Sequence, residues 1–257
     1  MCAGHDGTMT STTPIPLATL AGLLADATRA RFCLALLDGR AWTAGELARH
    51  AGVAASTASE HLSHLVRGGL LVEERQGRHR YLRLAGPQVA QLIEDMTAHA
   101  ERAGAAARPP TLRAASAARA MAAARTCYDH LAGRLGVAIT DALTTRGLLR
   151  QDAGFALSDD GLAWFAAELG VALPAPTGRR PVARPCLDWT ERRHHLAGAA
   201  GAVLCATALE RRWVSRIGSG RALRLTGTGR QALSALLGLR DPTGDLTGDL
   251  TPSAAGG

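Results

Sequence analysis

Two short helical segments joined by a tight turn constrain the fold of this chain more than any other feature. Residues 44–52 read AGELARHAG, with apolar residues at helical spacing, and Thr43 stands where it can cap this helix. Only Val53 to Ala55 separate it from a second helical segment, roughly Ser56 to Arg67, which Gly68 and Gly69 end. The spacing therefore predicts a helix-turn-helix.

A β-hairpin is predicted directly after these helices. Leu70 to Glu74 and His79 to Leu84 alternate apolar and polar residues, and Gly77 supplies the turn between them. Further helices are predicted before this block, starting near Leu17, and after it, from Gln88 to Ala100. Helix, turn, helix and a basic hairpin together predict a winged helix-turn-helix that binds DNA.

The residues of this block resemble a known bacterial family. The run GELARHAGVAASTASEHLSHLVRGGLLVEERQGRHRYLRL resembles the DNA-binding core of ArsR/SmtB-type repressors. That family reads Glu-Leu-Ala, a Gly-Val turn, Ser-Thr-x-Ser-x-His-Leu, Gly-Leu-Leu and a wing ending in Tyr-x-Leu. The resemblance covers about residues 17–100. It implies an obligate dimer with Leu17–Ala25 and Val89–Met96 at the interface.

Ten residues are predicted to contact operator DNA. Hydroxyls and Arg bond phosphates, Ser, Thr and His reach base edges, and basic wing residues hold the backbone or the minor groove. Each one alone also fits a structural role, as a helix cap, a solvated hairpin charge or, for His61, a packed side chain. The predicted contacts are Ser56, Thr57, Ser59, His61, His64 and Arg67 on the second helix and Arg75, Arg78, His79 and Arg80 on the wing.

This sequence departs from the family pattern at several positions. Glu60 stands where the family commonly has Arg or Lys, and Ala54 replaces the usual Ser, so a side-chain cap is lost. Family members that sense arsenic, cadmium or lead carry Cys-x-Cys on the helix at 44–52, which has no Cys here. Zinc and nickel sensors carry Asp and His pairs on the last helix, and His99 has no matching partner pair.

Composition excludes several classes of protein. The 257 residues are 47% apolar, too many for a disordered chain, and no apolar run is long enough to span a bilayer. The five cysteines are scattered and odd in number, unlike a secreted disulfide framework. We therefore expect a reduced, cytoplasmic, mainly α protein with small β-hairpin wings and no membrane contact.

The chain is predicted to contain two domains. A winged domain at 14–104 precedes a linker at 105–118, where Pro109 and Pro110 stop any helix, and a second domain at 119–240. Flexible tails are predicted at 1–13 and 241–257. The second domain holds the basic excess, because residues 105–240 contain 19 Arg against 9 acidic residues.

A repeat organises the second domain, at about 127–170 and 186–239. His130-Leu-Ala-Gly and His195-Leu-Ala-Gly match, and each follows a Cys-x-Asp, at Cys127 and at Cys186, with six extra residues in the second copy. Each copy continues with a helix, an extended pair and Leu-[Ser/Thr]-x-x-Gly opening another helix. We predict two half-winged-helix units packed pseudo-symmetrically.

The repeat supplies candidate effector residues. Cys127 and His130 are at i, i+3, which places them on one helix face if that helix starts before Cys127. Cys186, His194 and His195 would complete a soft Cys/His site that holds a metal ion of the zinc type. Alternatively, these residues have structural roles: the Asp of each Cys-x-Asp caps a helix, and the Cys and His residues pack in the core.

These features predict a homodimeric, sequence-specific regulator of transcription that acts as a repressor on double-stranded operator DNA. Its second domain would sense a metal ion, a thiol-reactive species or a small molecule of unknown identity. The alternatives are a constitutive architectural DNA-binding protein and an enzyme that uses the winged domain as a scaffold. No nucleophile elbow, phosphate loop or zinc-hydrolase spacing supports an enzyme.

Overall fold

The computed structural model describes residues 17–77, 79–103, 111–152, 154–173, 180–218, 220–240 and 242–243. The chain divides into two compact units, one formed by residues 17–33 and 42–85 and the other by 34–41 and 86–243. The predicted tails at 1–13 and, beyond residue 243, at the C-terminal end lie outside the described residues.

The first unit contains the predicted helix-turn-helix. Capping explains where its central helix starts: the Thr43 hydroxyl accepts from the Glu46 amide, and the Glu46 carboxylate accepts from the Thr43 amide. Gly52 in the left-handed conformation ends that helix. In chain order the elements are α1 (Leu17–Leu24), α2 (Ala27–Leu36), β1 (Trp42–Thr43), α3 (Ala44–Ala51) and α4 (Ala55–Arg67).

A wing follows α4. The strands β2 (Leu71–Gln76) and β3 (His79–Leu84) pair antiparallel, with Leu71 opposite Leu84, and β1 pairs with the other edge of β3. Alternation places Leu82 and Leu84 in the core and leaves Arg83 exposed. The predicted winged helix-turn-helix is thus confirmed in element type and order.

The second unit begins with two helices. These are α5 (Pro87–Ala103) and α6 (Leu112–Ala123), the latter capped by the Thr111 hydroxyl. The predicted linker at 105–118 therefore differs from the structure over 112–118, because this Ala-rich segment is helical once it is clear of Pro110 and capped. The predicted first domain also differs, because residues from 86 onward, including α5, group with the second unit. Within this unit, Glu94 of α5 forms a buried ion pair with Arg221.

Each copy of the repeat has the element order hairpin, helix, hairpin, helix. The first copy comprises β4 (Arg125–Cys127), β5 (His130–Ala132), α7 (Gly133–Thr145), β6 (Leu149–Arg150), β7 (Ala156–Leu157) and α8 (Asp159–Leu169). The second copy comprises β8 (Arg184–Leu187), β9 (His194–Ala197), α9 (Gly198–Glu210), β10 (Val214–Arg216), β11 (Leu223–Leu225) and α10 (Gly227–Leu237). The kinship of each copy to half of a winged helix stays a prediction.

The two copies share one core and are joined by backbone hydrogen bonds. The Thr126 amide donates to the Arg221 carbonyl, and the Leu223 amide donates to the Ala124 carbonyl. Equivalent glycines sit at the centre: a Cβ on Gly136 would lie 3.6 Å from the Cβ of His195, and one on Gly201 3.1 Å from that of His130. These reciprocal approaches are those of a local pseudo-twofold axis between the copies.

Within the described part of the chain, no helix combines the length and the apolar character that crossing a membrane requires.

Candidate nucleic-acid interface and metal centre

The N-terminal turn of α4 is the most exposed polar part of the helix-turn-helix. Ala58, Leu62 and Leu65 anchor the helix in the core, and this periodicity turns Ser56, Thr57, Ser59 and Glu60 to solvent. Ala54 precedes the helix without a side-chain cap hydrogen bond, as its sequence predicts. Short hydroxyls on an uncapped helix N-terminus suit close approach to a phosphate or a base edge.

His61 faces the protein more than the solvent. Its Nδ1 lies 3.7 Å from Asp26 Oδ1 and 3.4 Å from a guanidinium nitrogen of Arg29. Arg29 also donates to the carbonyls of Gly22 and Leu23, the closing turn of α1. His61 therefore ties α4 to the α1–α2 corner, and its structural role is the one the geometry supports. His64 is half-buried beside Arg67, which is exposed.

The basic residues of the wing differ in their contacts: Arg80 binds other residues of the protein, whereas Arg75 and His79 face the solvent. Arg80 donates to Glu73 Oε2 at 2.6 Å and to the Ser63 hydroxyl of α4, so its guanidinium braces the wing against the helix. Arg75 is 76% exposed at its side chain and His79 is exposed, so both remain accessible to DNA. The predicted contact Arg78 lies outside the described residues.

Four of the five predicted effector residues converge in the second unit. Cys127, His130, Cys186 and His195 are all buried, and their ligating atoms lie within 4.8 Å of one another. The two sulfurs are 3.8 Å apart, and the imidazole centroids are 5.0 Å apart. We call these four residues the Cys2His2 cluster. The fifth, His194, is exposed and packs edge-on against Phe155.

The prediction that Cys127 and His130 share a helix face is wrong. They are directly opposite each other in the β4–β5 hairpin, and Cys186 and His195 are opposite each other in the β8–β9 hairpin. Opposed residues of an antiparallel pair project from the same face of the sheet, so each hairpin offers one thiol and one imidazole. Strand alternation sends His194 to the other face, which is why it is not in the cluster.

An aspartate accompanies each histidine of the cluster. Asp129 Oδ1 lies 3.2 Å from Nδ1 of His130, and Asp188 Oδ2 lies 3.4 Å from Nδ1 of His195. The Nε2 atoms of both rings are buried with no hydrogen-bond partner among the described residues. Asp129 therefore orients the His130 ring, whereas Nδ1 of His195 lies near Asp188 without a hydrogen bond among the described residues.

Charges are unevenly divided between the two thiols. The hydrogen bond from Cys127 lowers the pKa of Cys186 far below that of a free thiol. Burial opposes this shift, whereas His130 and His195 add to it. The same contact, together with burial, raises the pKa of Cys127. For His130, burial favours the neutral ring, but Asp129 and Cys186 outweigh it and raise its pKa to about 9. The neighbours of Cys186 thus favour its thiolate form.

Asp188 also makes contacts away from His195. Its Oδ2 accepts from the Gly133 amide at the start of α7, and it forms a buried ion pair with Arg125 at 3.0 Å. Burial opposes ionisation, but Arg125 and His195 lower the pKa of Asp188 to about 2. For Asp129 and Asp188 the sequence offers helix capping as the structural alternative, and Asp188 does accept a hydrogen bond at the start of α7. The signal for their second role was the repeated Cys-x-Asp ahead of each His.

The positions at which the family resemblance would place metal ligands lie on α3 and α5. α3 carries no Cys, and on α5 Glu94 is buried against Arg221 while Asp95 and His99 are exposed. A cavity of about 170 Å³ reaches Cys127 and His130 from the side of α5. The cluster lies outside both helices, on the β4–β5 and β8–β9 hairpins.

A helix-turn-helix braced by a basic wing, with exposed hydroxyls on its second helix, defines the class of winged helix-turn-helix DNA-binding proteins. A family model described as a helix-turn-helix domain matches residues 24–74. The uncharacterized HTH-type transcriptional regulator YdfF of Bacillus subtilis is 39% identical over 226 residues, covering 87% of this chain and 98% of that protein. The chain belongs to the HTH-type transcriptional regulators.

Two shorter matches cover the winged part alone. The HTH-type transcriptional regulator CmtR of Mycobacterium tuberculosis is 41% identical over 80 residues, which are 31% of this chain and 67% of that protein. A solved homodimeric winged helix-turn-helix DNA-binding domain from Mycobacterium bovis, titled a possible ArsR-family regulator, is 31% identical. It covers 34% of this chain and 79% of that one, with a TM-score of 0.31.

Proposed function

We propose that this transcriptional regulator is a repressor that binds operator DNA as a homodimer and responds to an effector at its second unit. The observation that carries the DNA-binding part is the row of exposed hydroxyls at the start of α4, anchored from behind by Leu62 and Leu65. Such a row is suited to reading base edges in the major groove, while Arg75 and His79 of the wing hold phosphates.

Unburied apolar residues support the homodimer. α1 buries none of its residues within the chain although it reads LATLAGLL, and Leu17 is 80% exposed. On α5, Met96 is 45% exposed. Both helices are those that the family resemblance places at a dimer interface, where these side chains would become buried.

Contacts within the second unit support a response to an effector. Arg221 forms its buried ion pair with Glu94 of α5, and its carbonyl accepts from Thr126, the neighbour of Cys127. A change in the cluster therefore reaches α5 through one strand and one ion pair. If α5 is at the dimer interface, this path biases the arrangement of the two DNA-binding units.

Operator binding by hydroxyl-deleted variants tests the proposal. The full chain first selects its operator from random duplex DNA, and fluorescence anisotropy then measures affinity for that operator and for an unrelated duplex. Thr57→Val keeps the shape and removes one donor, so operator affinity should fall by about 1–3 kcal/mol, while affinity for unrelated DNA stays unchanged. Ser234→Ala, an exposed hydroxyl on α10, is the matched control and should bind as wild type does.

A reporter gene behind the selected operator separates a repressor from an architectural protein. A repressor lowers reporter expression, and the effector changes that expression. Equal loss of affinity for operator and unrelated DNA in Thr57→Val, or reporter expression that neither the chain nor the effector alters, would contradict the proposal.

A further inference from the structure

We infer that the Cys2His2 cluster is a closed tetrahedral site for one Zn²⁺ ion, held by Cys127, His130, Cys186 and His195, with Asp129 and Asp188 orienting the two imidazoles. That this ion is the effector rests on the function proposed above. That it binds rests on the geometry of the cluster alone.

The spacing of the donor atoms fits a tetrahedral ion. Metal–sulfur bonds of about 2.3 Å at the tetrahedral angle place two sulfurs about 3.8 Å apart. The sulfurs of Cys127 and Cys186 are 3.8 Å apart before any ion is bound. The widest donor separation, within 4.8 Å, is closed by small side-chain rotations around the ion. One ion at the centre then contacts all four residues.

The histidines are arranged as zinc ligands are. A zinc-bound imidazole donates its second N–H to a carboxylate, which fixes the tautomer and the ring orientation. Here Asp129 and Asp188 lie beside Nδ1 of His130 and His195, and the free Nε2 atoms are buried. A buried imidazole nitrogen without a partner is destabilising, and coordination of Nε2 removes that cost for both rings.

Charge and symmetry agree with a divalent ion. Two thiolates and two neutral imidazoles carry a charge of −2, so one Zn²⁺ leaves the buried site neutral. The ligands come in equivalent pairs from the two copies, and equivalent alanines, Ala132 and Ala197, pack beside the thiols. The local pseudo-twofold axis thus passes through the place where the ion sits, and each copy contributes half of the ligands.

A disulfide is the competing outcome for the same thiols. It requires the sulfurs to approach from 3.8 Å to about 2.05 Å and leaves both buried Nε2 atoms without a partner. A zinc ion uses all four groups, whereas a disulfide uses two. The structure therefore favours the ion.

Cobalt titration of the metal-free full chain tests the site without DNA, so its failure is distinct from a failure of the proposed function. Under reducing conditions, one equivalent of Co²⁺ should give intense visible bands of tetrahedral cobalt and a thiolate-to-cobalt charge-transfer band. Zn²⁺ should bleach both bands at one equivalent. A weak octahedral spectrum, or a titration that ends without the charge-transfer band, would overturn the inference.

Adjacent histidines provide the control. His195→Gln should lose the tetrahedral spectrum, whereas His194→Gln should keep it, because His194 is exposed on the opposite face of β9. Asp129→Asn retains all four ligands and should weaken Co²⁺ binding about 10–100-fold. A tetrahedral spectrum that persists in a Cys127→Ser, Cys186→Ser chain would place the ion elsewhere and overturn the assignment. Circular dichroism of each variant separates a lost ligand from a lost fold.

Discussion

Two cysteines outside the cluster lie in surroundings that suppress ionisation. Burial raises the pKa of Cys33 and of Cys205 to about 12, although Arg29 favours the thiolate of Cys33 and Arg216 that of Cys205. A thiol reacts through its thiolate, so a high pKa and burial both protect it. Both cysteines are buried core residues.

Alkylation mapped by mass spectrometry checks this. At pH 8, peptides containing Cys33 or Cys205 should stay unlabelled by iodoacetamide in the folded chain and become labelled in urea. Labelling of either peptide at the unfolded rate without denaturant would contradict the burial argument.

The sequence predicts those helices and strands whose ends and faces are set by neighbouring residues. The capping box at Thr43, the Gly52 stop and the alternation of β3 are local signals, and the structure has α3, α4 and the wing where they predict them. The Cys127–His130 hairpin was misread because i, i+3 spacing suits a helix face and also a hairpin with a two-residue turn. The second copy resolves this, because eight residues lie between Cys186 and His195, a spacing that places the two on opposite faces of a helix.

The basic side chains of the wing are predicted to bind DNA phosphates. Arg75→Ala should weaken binding to operator and unrelated DNA alike and reduce the slope of log affinity against log salt by about 1, because one phosphate contact is lost. Arg80→Ala, deleting the brace to Glu73 and Ser63, should also weaken binding to all sequences. Arg224→Ala, an exposed arginine on β11, is the control. An unchanged salt slope in the Arg75, Arg80 double variant would contradict a role for the wing.

The ion pair between α5 and Arg221 gives a stability prediction. Arg221→Met leaves Glu94 buried without its partner, and the free energy of unfolding should fall by about 3–5 kcal/mol in urea titrations. Glu94→Gln combined with Arg221→Met removes both charges and should recover much of that loss. A double variant as unstable as the sum of the singles would show that the pair is not coupled.

At the scale of the whole molecule, the proposed homodimer rests on the exposed apolar residues of α1 and α5. Leu17→Glu and Met96→Glu should each raise the dimer dissociation constant by about tenfold or more in sedimentation equilibrium, since a charge would enter an apolar interface. Leu162→Glu, at a leucine that is 40% exposed on α8, is the matched control and should leave the dimer intact. A chain that is monomeric before any substitution would contradict the homodimer.

The convergence of the cluster depends on tertiary packing and was not determined by local sequence signals. Repeat equivalence indicated that Cys127 and Cys186 share surroundings, but the choice of His195 over His194 needed the strand register. The roles of Arg125 and Arg221 depend on burial, which no motif marks.

Fluorescence anisotropy of the full chain with and without one equivalent of Zn²⁺ shows whether the cluster controls operator binding. We expect Zn²⁺ to change the operator dissociation constant at least about tenfold, a coupling of about 1.4 kcal/mol, in wild type and in His194→Gln. We expect one and the same constant, with and without Zn²⁺, for the Cys127→Ser, Cys186→Ser chain. Equal operator affinity of zinc-loaded and zinc-free wild type would contradict control by the cluster.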